Sequence, residues 1–295
     1  MALALAIDIS PCAIYSSNMT EATAHEASTT LYVDRPGGRV AYEVSGEGPL
    51  VILVPGMGDL RGTYRFLAPR LAAAGYRVAS TDLRGHGDSD ATFDTYGDLE
   101  TAGDVVALIE ALGGPAVVVG NSMGSGAAVC AAAQRPELVT GLVLIGPFVR
   151  DGETGAITRL LLRVALAAPW AAWTWKSYLP RLYPGRRPDD YDDHLGRVIT
   201  SLRRPGYARS FSRTARLSHA PAEASLERVQ APTLVLMGEQ DPDFPDPKAE
   251  ADWIADTLQG TAVMVADAGH YPQSQQPDVV AASVRDFLSE VARRA

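Results

Sequence analysis

Apolar residues in this chain fall into short unbroken runs, each closed by glycine, proline or a charged residue. Leu50 to Val54, Val117 to Val119, Leu142 to Ile145, Thr233 to Met237 and Ala262 to Ala266 are such runs. A strand with one face in water alternates apolar and polar residues, whereas a strand buried on both faces reads as a continuous run, as in a helix-covered parallel sheet. Arg77 to Thr81 fits as a further strand, ahead of Asp82. Before these, Leu31 to Asp34 and Arg39 to Val44, joined by Pro36-Gly37-Gly38, predict a hairpin. Two helices stand between the runs. Leu67 to Gly75 ends at its glycine, and Asp98 to Leu112 carries Leu99, Ala102, Val105, Val106, Ile109 and Leu112 at helical spacing before Gly113-Gly114 stops it. Strands alternating with helices predict an α/β architecture.

The stretch between Ile145 and Thr233 has a different character. It is rich in arginine and aromatics and holds no strand-like run; three of the chain's four tryptophans lie here, Trp170, Trp173 and Trp175, close to Tyr178 and Tyr183. Each such ring can bury about 150 to 250 Å². The cluster therefore serves either as the apolar roof of a pocket or as packing that pins this segment to the rest. Arg181, Arg186, Arg187, Arg203, Arg204, Arg209 and Arg213 fit a solvated helical face better than an anion site.

Composition narrows the classes. With 295 residues, 46% hydrophobic and 21% charged, the chain can bury one sizeable core and still carry an insertion. A formal charge of −9 argues against nucleic acid or an anionic membrane as partner, since both recruit Lys and Arg. The two cysteines, Cys12 and Cys130, suggest neither a disulfide framework nor a zinc site, and Cys130 reads as a buried packing residue. Residues 1–30 contain no Lys or Arg, unlike a secretory signal, and read as a flexible extension within which Met19 is an alternative start. The apolar stretch Val164 to Trp175 is far short of a membrane span. The expected location is cytoplasmic.

The chemistry concentrates at Gly120-Asn121-Ser122-Met123-Gly124, where the run from Val117 breaks and small helix-compatible residues follow. A serine on a sharp strand-to-helix turn has a strained backbone, and side chains two residues to either side would collide. Two later residues supply context. Asp241 follows the run ending at Met237, with Asp243 and Asp246 as neighbouring alternatives, and His270 follows Gly269 beyond Ala266. Serine is a poor nucleophile at its free pKa and needs a base; His270 is the candidate base and Asp241 the group that orients it. His86 reads as structural, and His25, His194 and His219 as surface or packing residues.

The order Ser, Asp, His and the Gly-x-Ser-x-Gly turn resemble the α/β-hydrolase fold superfamily over about residues 31 to 295. The resemblance implies a mostly parallel eight-stranded sheet flanked by helices, with a core formed by residues 31–147 and 231–295 and a helical cap at 148–230. Pro55-Gly56-Met57-Gly58 is similar to the family's oxyanion loop, with Pro55 where a histidine is usual, and implies the backbone amides of Met57 and Met123 as oxyanion donors. Asp82 to Ser89 resembles the family's loop after strand four, and Gln275 stands where the family's His-x4-Glu-x-Pro pattern has glutamate.

The reading this supports is a serine hydrolase of carboxylic esters or lactones, working through an acyl-enzyme on Ser122 without metal or cofactor. Trp170, Trp173, Trp175 and Tyr178 are the candidate substrate-binding residues and a small apolar molecule the expected partner. Dehalogenases and epoxide hydrolases attack with aspartate, and position 122 is serine. The alternatives are a carbon–carbon bond hydrolase of vinylogous diketones, which Gly-Asn-Ser-Met-Gly also resembles, and a ligand-binding receptor with little turnover.

Overall fold

The computed structural model describes residues 29–152, 161 and 164–294. The expected N-terminal extension, with Cys12, Met19 and His25, lies outside the described residues up to residue 28. Eight strands form a single sheet: β1 (Leu31–Arg35), β2 (Gly38–Ser45), β3 (Leu50–Val54), β4 (Arg77–Thr81), β5 (Ala116–Asn121), β6 (Val139–Ile145), β7 (Thr233–Gly238) and β8 (Thr261–Val265). Their order is β1-β2-β4-β3-β5-β6-β7-β8. β1 and β2 form the hairpin and β2 meets β4 antiparallel; from β4 to β8 every pairing is parallel.

The continuous apolar runs divide by the two-residue period of a strand. Ile52, Val54, Val118, Leu142, Leu144 and Val235 face one layer with Val105 and Ile109 of helix α2 (Asp98–Ala111) and Ala128 and Val129 of helix α3 (Met123–Gln134). Val51, Leu53, Val117, Val119, Val143 and Leu236 face the other, with Leu67 and Leu71 of helix α1 (Leu67–Ala73) and Val284, Phe287 and Leu288 of the closing helix Pro277–Arg294. Cys130 is buried in the first layer, and desolvation pushes its thiol up to about 12, consistent with an inert packing residue.

β6 begins at Val139, three residues ahead of the expected run. Gly141 interrupts the apolar pattern in sequence yet pairs with Val117, next to an irregularity in the β5–β6 register. A Cβ there would press within 3.1 Å of Val291 and 3.3 Å of Phe287, so the glycine lets the closing helix lie close to the sheet.

Between β6 and β7 the described residues form helices and no strand. The main ones are α4 (Ala171–Tyr178), α5 (Tyr191–Leu202) and α6 (Tyr207–Thr214). They carry their own apolar cluster, including Trp175, Leu182, Tyr183, Val198 and Phe211, which takes in Tyr271 from beyond β8 and packs against Met57 and Leu60. Among the described residues no helix is long and apolar enough to cross a membrane.

The loop after β4 is fastened electrostatically. Arg84 donates to both oxygens of Asp104 on α2 at 2.6 and 2.8 Å, Arg35 adds a third bond at 3.0 Å, and the Asp104 side chain is only 5% exposed. Stripping a buried carboxylate's partners of their counter-charge costs about 3 to 5 kcal/mol, whereas an exposed pair such as Arg39–Asp90 contributes at most about 1 kcal/mol. Asp104→Ala should therefore lower the urea midpoint far more than Asp90→Ala; equal midpoints would mean that the network does not hold this loop.

Candidate active site

Ser122 follows the carboxyl end of β5 and caps α3 with φ 55° and ψ −124°, a left-handed backbone rare for a residue with a side chain. The turn closes only because its neighbours lack side chains. A Cβ on Gly120 would lie 2.3 Å from the Gly124 carbonyl oxygen, and one on Gly124 would lie 2.4 Å from the Val54 carbonyl oxygen. The Ser122 amide donates to the Ile145 carbonyl at 2.9 Å, and its own carbonyl accepts from Ser125 and Phe148. Ser122 itself is half-buried, flanked by buried residues.

Asp241 and His270 follow the carboxyl ends of β7 and β8, on the same edge of the sheet. His270 Nδ1 lies 2.8 Å from Asp241 Oδ2. An ionised carboxylate only accepts, so Nδ1 carries the hydrogen and the neutral ring keeps its lone pair on Nε2. Asp243 stands further off, 3.8 Å from Nδ1, and its amide donates to Asp241 Oδ1 at 3.1 Å. Asp246 is engaged elsewhere, capping helix Pro247–Thr257 through the Ala249 amide at 3.0 Å. Both His270 and Asp241 are 2% exposed. Burial works against the imidazolium, but the Asp241 charge and hydrogen bond, with Asp243 behind them, overcome it and pull His270 up to about 9.

The turn after β3 approaches the nucleophile closely. A Cβ on Gly56 would come 2.8 Å from the Ser122 Cβ. Gly58 has φ +71°, and Asp59 N–H closes the turn on the Gly56 carbonyl at 3.3 Å. Met57 sits inside this turn, and Met123 opens α3, where no preceding carbonyl can take up its amide. The turn that contains Met57 thus lies against Ser122, and Met123 follows Ser122 directly.

The four aromatics expected at a pocket separate. Trp175 is buried and its Nε1 donates to the Gly58 carbonyl at 2.7 Å; Tyr178 donates to Asp243 at 2.6 Å. Trp173 is 71% exposed, and Trp170, 46% exposed, donates to the Val164 carbonyl instead. Their apolar faces turn toward solvent because α4 can bury only one side against the turn below it. Phe148, by contrast, meets the His270 ring edge-on at 5.7 Å and Phe244 at 5.0 Å. Single phenylalanines in loops gave no sequence signal comparable to a tryptophan cluster.

Several supporting residues are also visible only in three dimensions. Asn121, the variable residue of the serine turn, donates to the Ile145 and His270 carbonyls at 3.0 and 3.2 Å, strapping two loops together. Gln275 accepts from the Gly269 amide at 2.9 Å and donates to the Pro184 and Arg186 carbonyls at 2.7 and 2.9 Å. A glutamate could not make the last two bonds once ionised. Gly146, at φ +49°, has room for no Cβ without meeting Asp241 Oδ2 and His270 Nδ1, each at 3.2 Å.

The described histidines outside the site are packing and structural groups, two of them facing carboxylates. His194 Nε2 lies 2.7 Å from Asp59 Oδ1 and His219 Nδ1 lies 2.9 Å from Asp98 Oδ2; His86 is buried, with Nδ1 at 3.0 Å from the Arg84 carbonyl. Each carboxylate partner lies far away in sequence, so no local pattern announces it.

The donor atoms of Asp241, Asp243 and His270 lie within 4.8 Å of one another, a spacing that suits a cation as well as a proton. The hydrogen bond between Nδ1 and Asp241 occupies the nitrogen an ion would need. A separate cavity of about 830 Å³ lies between α5 and the β2–β4 side of the sheet, lined by charged residues such as Arg61, Arg65, Asp82 and Asp192 and not by Ser122 or His270.

Comparison with known proteins agrees with this arrangement. Residues 51–283 match the family model described as alpha/beta hydrolase family. The chain is 30% identical over 249 residues to a pimeloyl-[acyl-carrier protein] methyl ester esterase of Neisseria meningitidis, covering 82% of this chain and 77% of that protein. It is 39% identical over 121 residues to an epoxide hydrolase of Caballeronia sordidicola, of which it covers only 36%. A thermophilic esterase from Thermogutta terrifontis superposes with TM-score 0.74 at 25% identity, over 90% of this chain and 99% of that one. The sheet order, the serine turn and these matches together assign the chain to the alpha/beta hydrolase family.

Proposed function

We propose that this protein is a serine hydrolase that cleaves carboxylic esters, lactones included, through an acyl-enzyme on Ser122. The observation that carries the reading is the left-handed backbone of Ser122 in a turn cleared by Gly120 and Gly124, on the sheet edge that also bears the Asp241–His270 pair. Strain of this kind is retained where a side chain must be presented to a substrate. The similarity to a methyl ester esterase over most of both chains supports an ester as the bond cleaved.

In this mechanism Ser122 Oγ attacks the carbonyl carbon while His270 Nε2 takes its proton and Asp241 steadies the imidazolium that forms. The amides of Met57 and Met123 receive the charge on the carbonyl oxygen, each such donor being worth on the order of 10² to 10³ in rate. Collapse of the tetrahedral species expels the alcohol, protonated by His270. Water, deprotonated by the same ring, then releases the acid and restores Ser122. Residues 148–230 act as the cap, with Trp175 and Tyr178 fixing it over the site and Phe148 and Phe244 giving the pocket an apolar wall. Trp170 and Trp173, exposed on the cap, serve a larger acyl group only if it extends beyond the pocket.

The carbon–carbon hydrolase alternative rests on the whole Gly-Asn-Ser-Met-Gly turn, in which the Asn121 side chain is engaged with two backbone carbonyls. That role suits any reaction on this scaffold, so Asn121 by itself does not choose between the two readings.

Hydrolysis of p-nitrophenyl esters from acetate to long acyl chains, run beside Ser122→Ala, tests the reading. Turnover by the native chain that disappears in the variant is expected, and an active Ser122→Ala would exclude Ser122 as nucleophile. Asp241→Asn should slow kcat by several orders of magnitude through loss of the correct histidine tautomer, whereas Asp243→Asn should have a small effect; the reverse ranking would make Asp243 the acid.

The pH profile follows from His270. Only the neutral ring can accept the Ser122 proton, and the nearby carboxylates favour the charged one, so kcat/KM should rise with pH with an inflection above 6.5 and toward about 9. Asp241→Asn should move that inflection down. A profile already flat at pH 6 would mean that His270 is not held up by Asp241.

A further inference from the structure

We propose that Asp59 and His194 are a positioning pair: they hold the turn that aims the Met57 amide and couple it to helix α5 of the insertion. This rests on the hydrolase reading above and adds two residues to it. Asp59 is the last residue of the turn Gly56-Met57-Gly58-Asp59, whose closing bond is made by the Asp59 amide. Asp59 thus anchors the end of the turn that contains Met57.

The Asp59 side chain is fixed with no access to water. It is 0% exposed, and Oδ1 accepts from the Leu60 amide at 2.7 Å and from His194 Nε2 at 2.7 Å. His194 is 1% exposed and lies on α5, 135 residues away in sequence. Burial opposes the Asp59 charge, and the facing imidazole, with hydrogen bonds from the Leu60 amide and Thr63 behind it, more than offsets it, holding the carboxyl below its ordinary range. A second contact grips the turn one residue earlier, where Trp175 Nε1 donates to the Gly58 carbonyl at 2.7 Å. The insertion therefore reaches the turn at two consecutive residues.

Packing alone does not account for the pair. Apolar side chains of similar volume commonly hold two segments together as firmly as a buried ion pair does. What the polar pair supplies is direction, since the Leu60 amide and His194 Nε2 together fix the Oδ1 oxygen of the carboxylate. It also answers an electrostatic conflict. A buried carboxylate two residues from Met57 opposes the negative charge that gathers on a substrate oxygen at that amide, and the hydrogen bond from His194 draws its charge away. The Asp59 charge also favours the protonated His270 ring, behind the nearer Asp241 and Asp243.

The test compares His194→Leu, which fills the space without a donor, with His194→Gln, whose amide can reach Asp59. The readouts are the rate constant for labelling of Ser122 by a fluorophosphonate, kcat and KM for a p-nitrophenyl ester, and thermal melting. His194→Leu is expected to label and turn over roughly 10- to 100-fold more slowly, up to the loss of one oxyanion donor, with KM changed less than about threefold. His194→Gln should recover most of that loss. If His194→Leu does not melt cooperatively, His194→Asn, with an amide too short to reach Asp59, replaces it under the same expectation. Labelling of the donor-less variant at the native rate, or no recovery in His194→Gln when both melt cooperatively, overturns the proposal and leaves the ester reading intact. Native protein that is not labelled at Ser122 overturns that reading, and the positioning role with it.

Discussion

The site depends on one local constraint, the left-handed backbone at Ser122. Such a conformation costs on the order of 1 to 3 kcal/mol for a residue with a side chain and persists only where its surroundings leave no alternative. Here the surroundings act from both directions. Gly120, Gly124 and Gly56 remove the side chains that would block the turn, while the Ser122 amide and carbonyl are tied to Ile145, Ser125 and Phe148. β5 lies between β3 and β6, neighbours that are themselves buried on both faces, so the sheet cannot easily yield to relieve the turn.

Around that fixed point the loops are held by long-range polar contacts. Asn121 joins the serine turn to the His270 loop, Gln275 joins that loop to the insertion, and Tyr178 joins the insertion to the Asp243 loop. None of these segments is a neighbour of its partner in sequence. The insertion therefore ties these loops to one another, and it carries its own apolar cluster that includes Trp175, Tyr183 and Phe211.

The division between what could and could not be read from the chain follows this distinction. Strands and helices come from local periodicity, so the hairpin, the central strands, α2 and the serine turn were legible within a few residues. β6 was cut short because Gly141 breaks the apolar run, although close packing of the final helix requires it. The aromatic cluster was legible as composition but not as orientation: one face of α4 is buried, so Trp175 meets the turn while Trp173 does not. The partners of His194 and His219 were illegible because a carboxylate-histidine pair depends on which distant segments meet, and neither half carries a local signature.

Gln275 has a consequence beyond its hydrogen bonds. It touches the amides flanking His270, so its side chain sits within the field that sets that ring's affinity for a proton. As a neutral amide it latches the loop while leaving the immediate anionic neighbours of His270 as Asp241 and Asp243. A carboxylate in its place would bind a proton to the ring more tightly still, shifting useful basicity to more alkaline conditions. The position is therefore a tuning point for the proton affinity of His270, set without contact with its ring.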